Sequence, residues 1–172
     1  QDQIDEMVGN ELFGDESGDD PVKTTKKVQD ALSALLALGF PRQQVNERSA
    51  LTLLALLDLK PKTPWANVRD PLIGITPMMD FFADHYGKRY KPNTRETVRR
   101  QTVHQFLDAG LVVINPDQPS RPTNSPNSVY QIEAEALALL RSLGTPKWDK
   151  GVKTYLASAQ TLKEKYARER EM

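Results

Sequence analysis

The side chains best suited to chemistry are concentrated in one segment, residues 86–105. On a helix that advances about 100° per residue, one side collects five residues that donate or accept hydrogen bonds: Thr94, Thr97, Gln101, His104 and Gln105. Such groups can bind base edges in the DNA major groove, and a Gln amide matches adenine in particular. We therefore expect these five side chains to read bases in double-stranded DNA.

The same segment is strongly basic. It holds six basic side chains and, near the start of the helix, the acid Glu96. Because attraction to phosphates dominates nucleic-acid affinity, we expect the six to contact the DNA backbone. The six residues are Lys88, Arg89, Lys91, Arg95, Arg99 and Arg100. Two alternatives stay open: the run is a solvated surface, or Arg95 or Arg99 pairs with Glu96 or Asp80.

Arg121 lies in a separate segment, residues 115–127, that is rich in Pro, Asn and Ser. Pro119 and Pro122 flank it and restrict the backbone there. If this segment is the tip of a β-hairpin, Arg121 can reach a minor groove or the DNA backbone. It is therefore a seventh candidate for binding phosphate.

A catalytic centre is not evident in the chain. Nuclease chemistry needs carboxylates and a lysine that hold Mg²⁺ and orient water, yet no Asp-x-Lys or Glu-x-Lys follows Pro116-Asp117. His85 has no second histidine at metal-ligand spacing, and His104 is more simply a surface histidine. The absence of Cys excludes zinc knuckles and thiol nucleophiles. We expect no catalytic residue, cofactor or metal site in this chain.

Charge is distributed unevenly along the sequence. Over all 172 residues, 23 basic side chains balance 23 acidic ones, which by itself argues against a nucleic-acid binder. Eight of the acids, however, lie in residues 1–20, which contain no Lys or Arg, so residues 21–172 carry 23 basic against 15 acidic side chains. Because like charges at this density repel one another, we expect a basic body preceded by an acidic tail or linker at residues 1–23.

The elements that position these side chains are mainly helical. Apolar residues recur at three- and four-residue spacing in most of the chain, whereas one short β-branched run and one short alternating run are typical of strands. Helices are predicted at about residues 24–39, 47–59, 77–86, 94–109, 133–143 and 149–170, with strands at 111–114 and 129–132. The second helix is apolar almost all round, so it should lie at the centre of the fold.

Capping residues predict where several helices begin. Thr24 or Thr25 can cap the first helix and Asn46 the second. Thr76 precedes a proline at the first position of the third helix, and Asn93 with Glu96 forms a capping-box pattern before the fourth. Helix, proline-bearing turn, basic helix and hairpin is the order of a winged helix-turn-helix. We expect that domain at residues 24–146.

Several separated motifs in the chain resemble the amino-terminal domain of the BsuBI/PstI family of type II restriction endonucleases. They are Asn46-Glu47-Arg48-Ser49-Ala50-Leu51, Gly74-Ile75-Thr76-Pro77, the run from Pro92 to Phe106, Asn115-Pro116-Asp117, Arg121-Pro122-Thr123-Asn124-Ser125-Pro126, Gly144-Thr145-Pro146 with Trp148, and Tyr166-Ala167-Arg168-Glu169-Arg170. The resemblance covers about residues 31–172. The acidic start, residues 1–23, has no counterpart in it.

The resemblance implies a helix-turn-helix DNA-binding domain that precedes a Mg²⁺-dependent nuclease domain of the P-D…(D/E)-x-K class. The chain would then stop where the nuclease begins, with residues 147–172 as the helix that leads to the missing domain. The parent protein would be a cytoplasmic type II site-specific deoxyribonuclease, a homodimer on a palindromic duplex. The fragment alone would be a monomer. The longest apolar stretch, residues 50–59, is too short for a membrane span of ~20 residues.

Three other interpretations fit the same residues. The module could belong to a winged-helix transcriptional regulator, with the last helix used for dimerisation. It could be a protein-interaction module that uses the winged-helix shape without DNA. The acidic tail could also fold over the basic helix and mimic phosphate.

Overall fold

The computed structural model describes the backbone of residues 25–171 and the side chains of residues 25–159. The acidic tail therefore lies outside the described residues. Within them, the chain forms six helices and one two-stranded antiparallel sheet, which confirms the mainly α fold with a β-hairpin. The helices are α1 (Lys26–Ala37), α2 (Glu47–Leu56), α3 (Ile75–Tyr86), α4 (Thr94–Thr97, Val98–Val103 and His104–Asp108 in succession), α5 (Ala134–Leu140) and α6 (Trp148–Glu171). The strands are β1 (Val112–Ile114) and β2 (Tyr130–Ile132).

Helix α2 forms the centre of the fold, as its sequence predicts. All ten of its residues are buried, and it contacts α1, α3, the middle of α4 and β2. Asn46 caps it: the side chain accepts a hydrogen bond from the N–H of Ser49, whose hydroxyl accepts in turn from the N–H of Asn46. Each fully buried leucine contributes about 1.5–3 kcal/mol relative to an exposed one. The buried leucines of α2 therefore make a substantial contribution to the stability of this domain.

Helix α1 packs beside α2 and begins at Thr25, whose hydroxyl accepts from the N–H of Val28. Trp65 lies in the loop between α2 and α3, where it is buried and donates its Nε1–H to Asp30 of α1. Phe40, which follows α1, meets Phe106 of α4 edge to face, with ring centroids 5.5 Å apart. These contacts hold α1 and α4 to the same core.

Two of the predicted helix starts are wrong. Gly74, not Thr76, is the N-cap of α3, so Pro77 lies inside the first turn, where its missing N–H still costs no hydrogen bond. Asn93 precedes α4 with helical backbone angles and makes no side-chain cap. An N-cap side chain reaches the N–H groups of the first turn from an extended backbone, so the helical angles of Asn93 prevent the predicted capping box.

The sheet is the wing of the domain. Strands β1 and β2 pair with Val112 opposite Ile132 and Ile114 opposite Tyr130. Ile73, just before α3, exchanges two backbone hydrogen bonds with Tyr130, at 3.0 and 2.9 Å. The wing is thus tied to the entrance of α3, and the order of elements is that of a winged helix. A single bridging residue has no period-two pattern, so the sequence did not predict this pairing.

The carboxy-terminal helices complete the described part. Glu133 caps α5 by accepting from the N–H groups of Glu135 and Ala136. Helix α6 packs against α5 and buries Tyr155. No helix within residues 25–171 combines the length and apolar character needed to cross a membrane.

Candidate nucleic-acid interface

Helix α4 has one buried and one outward side. Its buried residues are Thr94, Val98, Thr102, Val103 and Phe106. The middle of the helix, Val98–Val103, is π-helical, and such widened turns frequently occur at functional sites. The opposite side of α4 faces solvent, and its exposed residues are all polar: Glu96, Arg100, Gln101, His104 and Asp108.

The five predicted base-reading residues do not all lie on that outward side. Gln101 and His104 are exposed, whereas Thr97 and Gln105 are half-buried, Gln105 beside Phe40. Thr94 is only 6% exposed because the first turn of α4 packs against α3. The prediction that Thr94 is presented to DNA is therefore wrong.

Three arginines of α4 converge on Glu96. The Nη2 of Arg99 lies 2.8 Å from the Glu96 carboxylate, the Nε of Arg100 3.1 Å and the Nη1 of Arg95 3.7 Å. The hydrogen bond from Arg99 is the largest of the influences that lower the Glu96 pKa from its usual value. The proposed pairing of Arg95 or Arg99 with Glu96 is confirmed, and Arg100 joins it. Arg95 also donates to the hydroxyl of Thr76 on α3.

Arg100 takes a different position from the one that the helical projection predicts. The projection places it at the border of the outward side, but its side chain is 73% exposed. It lies one turn after Glu96 and one turn before His104, so these three residues follow one line along the outward side. Arg100 is therefore a central residue of the candidate interface.

The basic connection between α3 and α4 divides into inward and outward residues. Lys88 is only 3% exposed, because its ammonium group pairs with the buried Glu47 carboxylate at the start of α2. The prediction that Lys88 contacts phosphate is therefore wrong. Arg89 and Lys91 are exposed and stay available for such contacts.

The wing loop holds Arg121 rather than projecting it. Both Nη atoms of Arg121 donate to the Asp117 carboxylate, at 3.1 and 3.0 Å, and Nη1 also donates to Oδ1 of Asn115 at 2.7 Å. The Arg121 side chain is 15% exposed, and its hydrogen bond lowers the pKa of Asp117. In this conformation Arg121 is bound within the wing loop, and its contact with DNA stays a prediction. Its guanidinium group forms a bidentate pair with the Asp117 carboxylate.

Asn115 is the pivot of that loop. It is 2% exposed and adopts a left-handed backbone with a φ of 52°, which asparagine tolerates better than most residues. Its Oδ1 accepts from the N–H of Val129 at the far side of the loop, at 2.9 Å. The wing tip is therefore closed by side-chain contacts and not only by its prolines.

A cleft lies between the outward side of α4 and the wing. Arg99, Arg100 and His104 line it from α4, while Thr123 and Tyr130 line it from the wing. His104 pairs with Asp108 one turn later, 3.2 Å from Nε2 to the carboxylate. His104 is exposed, in agreement with the simpler interpretation of it as a surface histidine.

Arg48 is a residue of this region that the sequence did not single out. It belongs to the central helix α2, yet its Nε donates to Oγ1 of Thr102 at 3.1 Å and its Nη2 donates to Oε1 of Gln101 at 3.2 Å. The available signal was an arginine in the first turn of a helix that is mostly apolar beyond that turn. Such a buried cation requires polar partners, and here α4 supplies two of them.

The winged-helix order and the outward polar side of α4 agree with a family match. Residues 25–164 match the BsuBI/PstI restriction endonuclease HTH domain. The chain belongs to this family. The resemblance seen in the sequence motifs is therefore confirmed, together with the fold and the association with type II restriction enzymes.

Three relatives illustrate the membership of this HTH domain family. The chain is 52% identical over 144 residues to the type II restriction enzyme BsuBI of Bacillus subtilis, a match of 84% of this chain and 46% of that protein. It is 37% identical over 134 residues to AplI of Arthrospira platensis, covering 78% and 41%. The solved structure of the SdaI restriction endonuclease matches with a TM-score of 0.75 and 34% identity, covering 84% and 46%. The chain thus spans a little under half the length of these relatives.

The described residues of this HTH domain do not fit a nuclease metal centre. Among the side chains that the structure describes, residues 25–159, there is no group of three His, Asp or Glu placed to hold a metal ion. Asp117, the first half of the nuclease pattern, is instead engaged by Arg121. What the geometry can supply is an outward helix with hydrogen-bonding side chains beside exposed cations.

Proposed function

We propose that this chain binds double-stranded DNA through α4 and is the recognition domain of a type II site-specific endonuclease. The observation that carries the proposal is the outward side of α4. It presents Arg100, Gln101 and His104, with Thr97 at its edge, from a winged-helix core. A helix of this width fits the major groove, where side chains of these types can bind base edges.

The surrounding cations support the same orientation. Arg89 and Lys91 are exposed just before α4, and the Arg95, Arg99 and Arg100 guanidinium groups gather around one exposed carboxylate. A phosphate oxygen can take the place of a carboxylate oxygen as an acceptor for arginine. Binding of DNA would then exchange the contacts to Glu96 for contacts to the backbone.

Fluorescence anisotropy with a labelled duplex of random sequence tests this function at its simplest. We expect the affinity to fall steeply between low and moderate salt, because bound phosphates release counterions. The double variant Arg100→Ala, Gln101→Ala should bind weakly, whereas Lys150→Ala on α6 should bind like the wild type. Salt-independent binding, or equal binding by the two variants, would overturn the proposal.

The activity of the whole protein is part of the same proposal. The domain at residues 24–146 would be followed by the helix at 147–172 and a Mg²⁺-dependent nuclease domain, in a homodimer that acts on a palindromic site. The family membership favours this over a transcriptional regulator. Incubation of plasmid DNA with the full-length protein and Mg²⁺ should give discrete fragments, and sedimentation should give a dimer. An open reading frame with no acidic-and-lysine nuclease signature would contradict it.

A further inference from the structure

We propose that Arg48 turns Gln101 into a hydrogen-bond donor toward DNA and so directs it to guanine instead of adenine. This inference deepens the proposed function and rests on it. Arg48 acts here as a positioning residue, since it touches Gln101 and is itself nearly buried at 8% exposure.

The orientation of the Gln101 amide follows from the chemistry of its partner. A guanidinium group carries only hydrogen-bond donors. The Gln101 atom that lies 3.2 Å from the Nη2 of Arg48 must therefore be the carbonyl oxygen, not the amide nitrogen. The oxygen of this exposed residue points back toward α2, which leaves the NH₂ group as the end that faces outward.

Arg48 is well placed to impose that orientation. Its Nε donates to the hydroxyl of Thr102, which is 2% exposed, so the guanidinium is anchored on two consecutive residues of α4. Because a guanidinium is a planar fork, it can serve both acceptors at once, which the point-like ammonium of a lysine does less well. The positive charge also polarises the amide and strengthens its NH₂ group as a donor.

The base preference follows from the edges that the major groove presents. Adenine offers an acceptor at N7 next to a donor at N6, so a Gln must use both its NH₂ and its oxygen to bind it in bidentate fashion. Guanine offers two neighbouring acceptors, N7 and O6, that one NH₂ group can face. Because the Gln101 oxygen is turned toward Arg48 and away from the base edge, the NH₂ group is left to meet the base, and guanine is favoured. A Gln whose amide is free to turn would instead be expected to prefer adenine.

The experiment uses the 172-residue chain and a pool of duplexes with a randomised centre, sequenced before and after binding. The base pair that Gln101 reads is identified with the Gln101→Ala variant, as the position in the duplex at which this variant loses base selectivity. At that position we expect the wild type to prefer guanine over adenine by about tenfold, the order of one good side-chain contact to a base. The Arg48→Met variant should lose that preference and move toward adenine, with the other positions unchanged.

A double-mutant cycle separates positioning from a general structural effect. In the Gln101→Ala background, Arg48→Met should change base selectivity no further, since its effect passes through Gln101. Arg48→Lys keeps the charge but not the planar fork, so its preference for guanine should lie between those of Arg48→Met and the wild type. Thr102→Val removes one anchor of the guanidinium with little change in shape, and it should also weaken the preference. Thermal melting of each variant shows whether it folds. If Arg48→Met does not fold, Thr102→Val takes its place as the test of the positioning role.

Two results would overturn the inference while leaving the proposed function intact. The first is a wild-type preference for adenine at the Gln101 position. The second is a guanine preference that survives in folded Arg48→Met or Thr102→Val but disappears in Gln101→Ala. A wild-type chain that shows no salt-dependent binding to any duplex would instead overturn the proposed function itself.

Discussion

The ammonium group of Lys88 lies 3.3 Å from Oε1 of Glu47, and both side chains are almost wholly buried. Tyr90 adds to this pair, since its hydroxyl donates to the same oxygen at 2.6 Å and its ring centroid lies 5.1 Å from the Lys88 nitrogen. Glu47 begins the central helix α2, while Lys88 and Tyr90 belong to the connection that leads into α4. The buried ion pair therefore fixes the approach to α4 onto the centre of the fold.

Replacing Lys88 should destabilise the domain. Lys88→Met removes the ammonium group beside the buried Glu47 carboxylate, so we expect the free energy of unfolding to fall by about 3 kcal/mol, near the lower end for a broken buried ion pair. Arg89→Met is the matched control one residue along, where an exposed side chain should cost less than about 0.5 kcal/mol. Urea unfolding measures both. Equal losses in the two variants would show that the buried pair contributes nothing particular.

Removing the carboxylate of Glu96 should strengthen DNA binding. Glu96→Gln removes the anion that three arginines share, so the net charge on the outward side of α4 rises by one. We expect a lower Kd for duplex DNA at low salt and a steeper dependence of affinity on salt. Glu135→Gln makes the same charge change at an exposed position of α5 and should leave binding unchanged. Weaker binding in Glu96→Gln would mean that the carboxylate itself contacts DNA.

The ion pairs of Glu96 also predict its titration. Arg99 and Arg100 hold the Glu96 pKa below its usual value. A lowered pKa in the folded state means that this contribution to stability is present above the ordinary glutamate pKa and is lost as pH falls through the lowered one. Carboxyl-detected NMR should give a Glu96 pKa below the ordinary glutamate value. The Arg99→Met variant should raise it toward the ordinary value; an unchanged pKa would rule out Arg99 as the main cause.

Arg89 should contribute to affinity without contributing to sequence preference. It is exposed on the connection before α4, so we expect Arg89→Met to weaken binding to all duplexes alike and to reduce the slope of log K against log salt by about 0.9, the value for one phosphate. Lys150→Met on α6 should leave the slope unchanged. Titrations at several salt concentrations provide the measurement. A base-specific loss would place Arg89 in a groove.

Arg121 should matter for the order of the wing more than for charge. Arg121 is bound to Asp117 and Asn115, so Arg121→Met should loosen the loop. The N–H of Val129, which donates a hydrogen bond to Oδ1 of Asn115, should then exchange its hydrogen faster. The salt slope of DNA binding should change little. A slope reduced by about 0.9 would instead indicate that Arg121 leaves the loop to bind one phosphate.

The sequence by itself determined the elements and the family of this protein. The apolar run of α2 and its Asn46 cap are local signals, because helical periodicity and a capping side chain involve residues within a few positions of one another. The basic helix followed by one short β-branched run and one short alternating run likewise established the winged-helix order. The separated motifs were specific enough to identify the family.

Only the tertiary structure decided which polar side chains face outward. Lys88 looks like any other lysine of a basic run until Glu47, 41 positions earlier, is brought beside it. Arg48 reaches Gln101 across 53 positions of sequence. A long charged side chain has many partners within reach, and the choice among them depends on electrostatic and hydrogen-bond geometry that arises when distant elements pack. Periodicity therefore predicts where a helix lies, but packing selects which of its polar groups remain free to bind DNA.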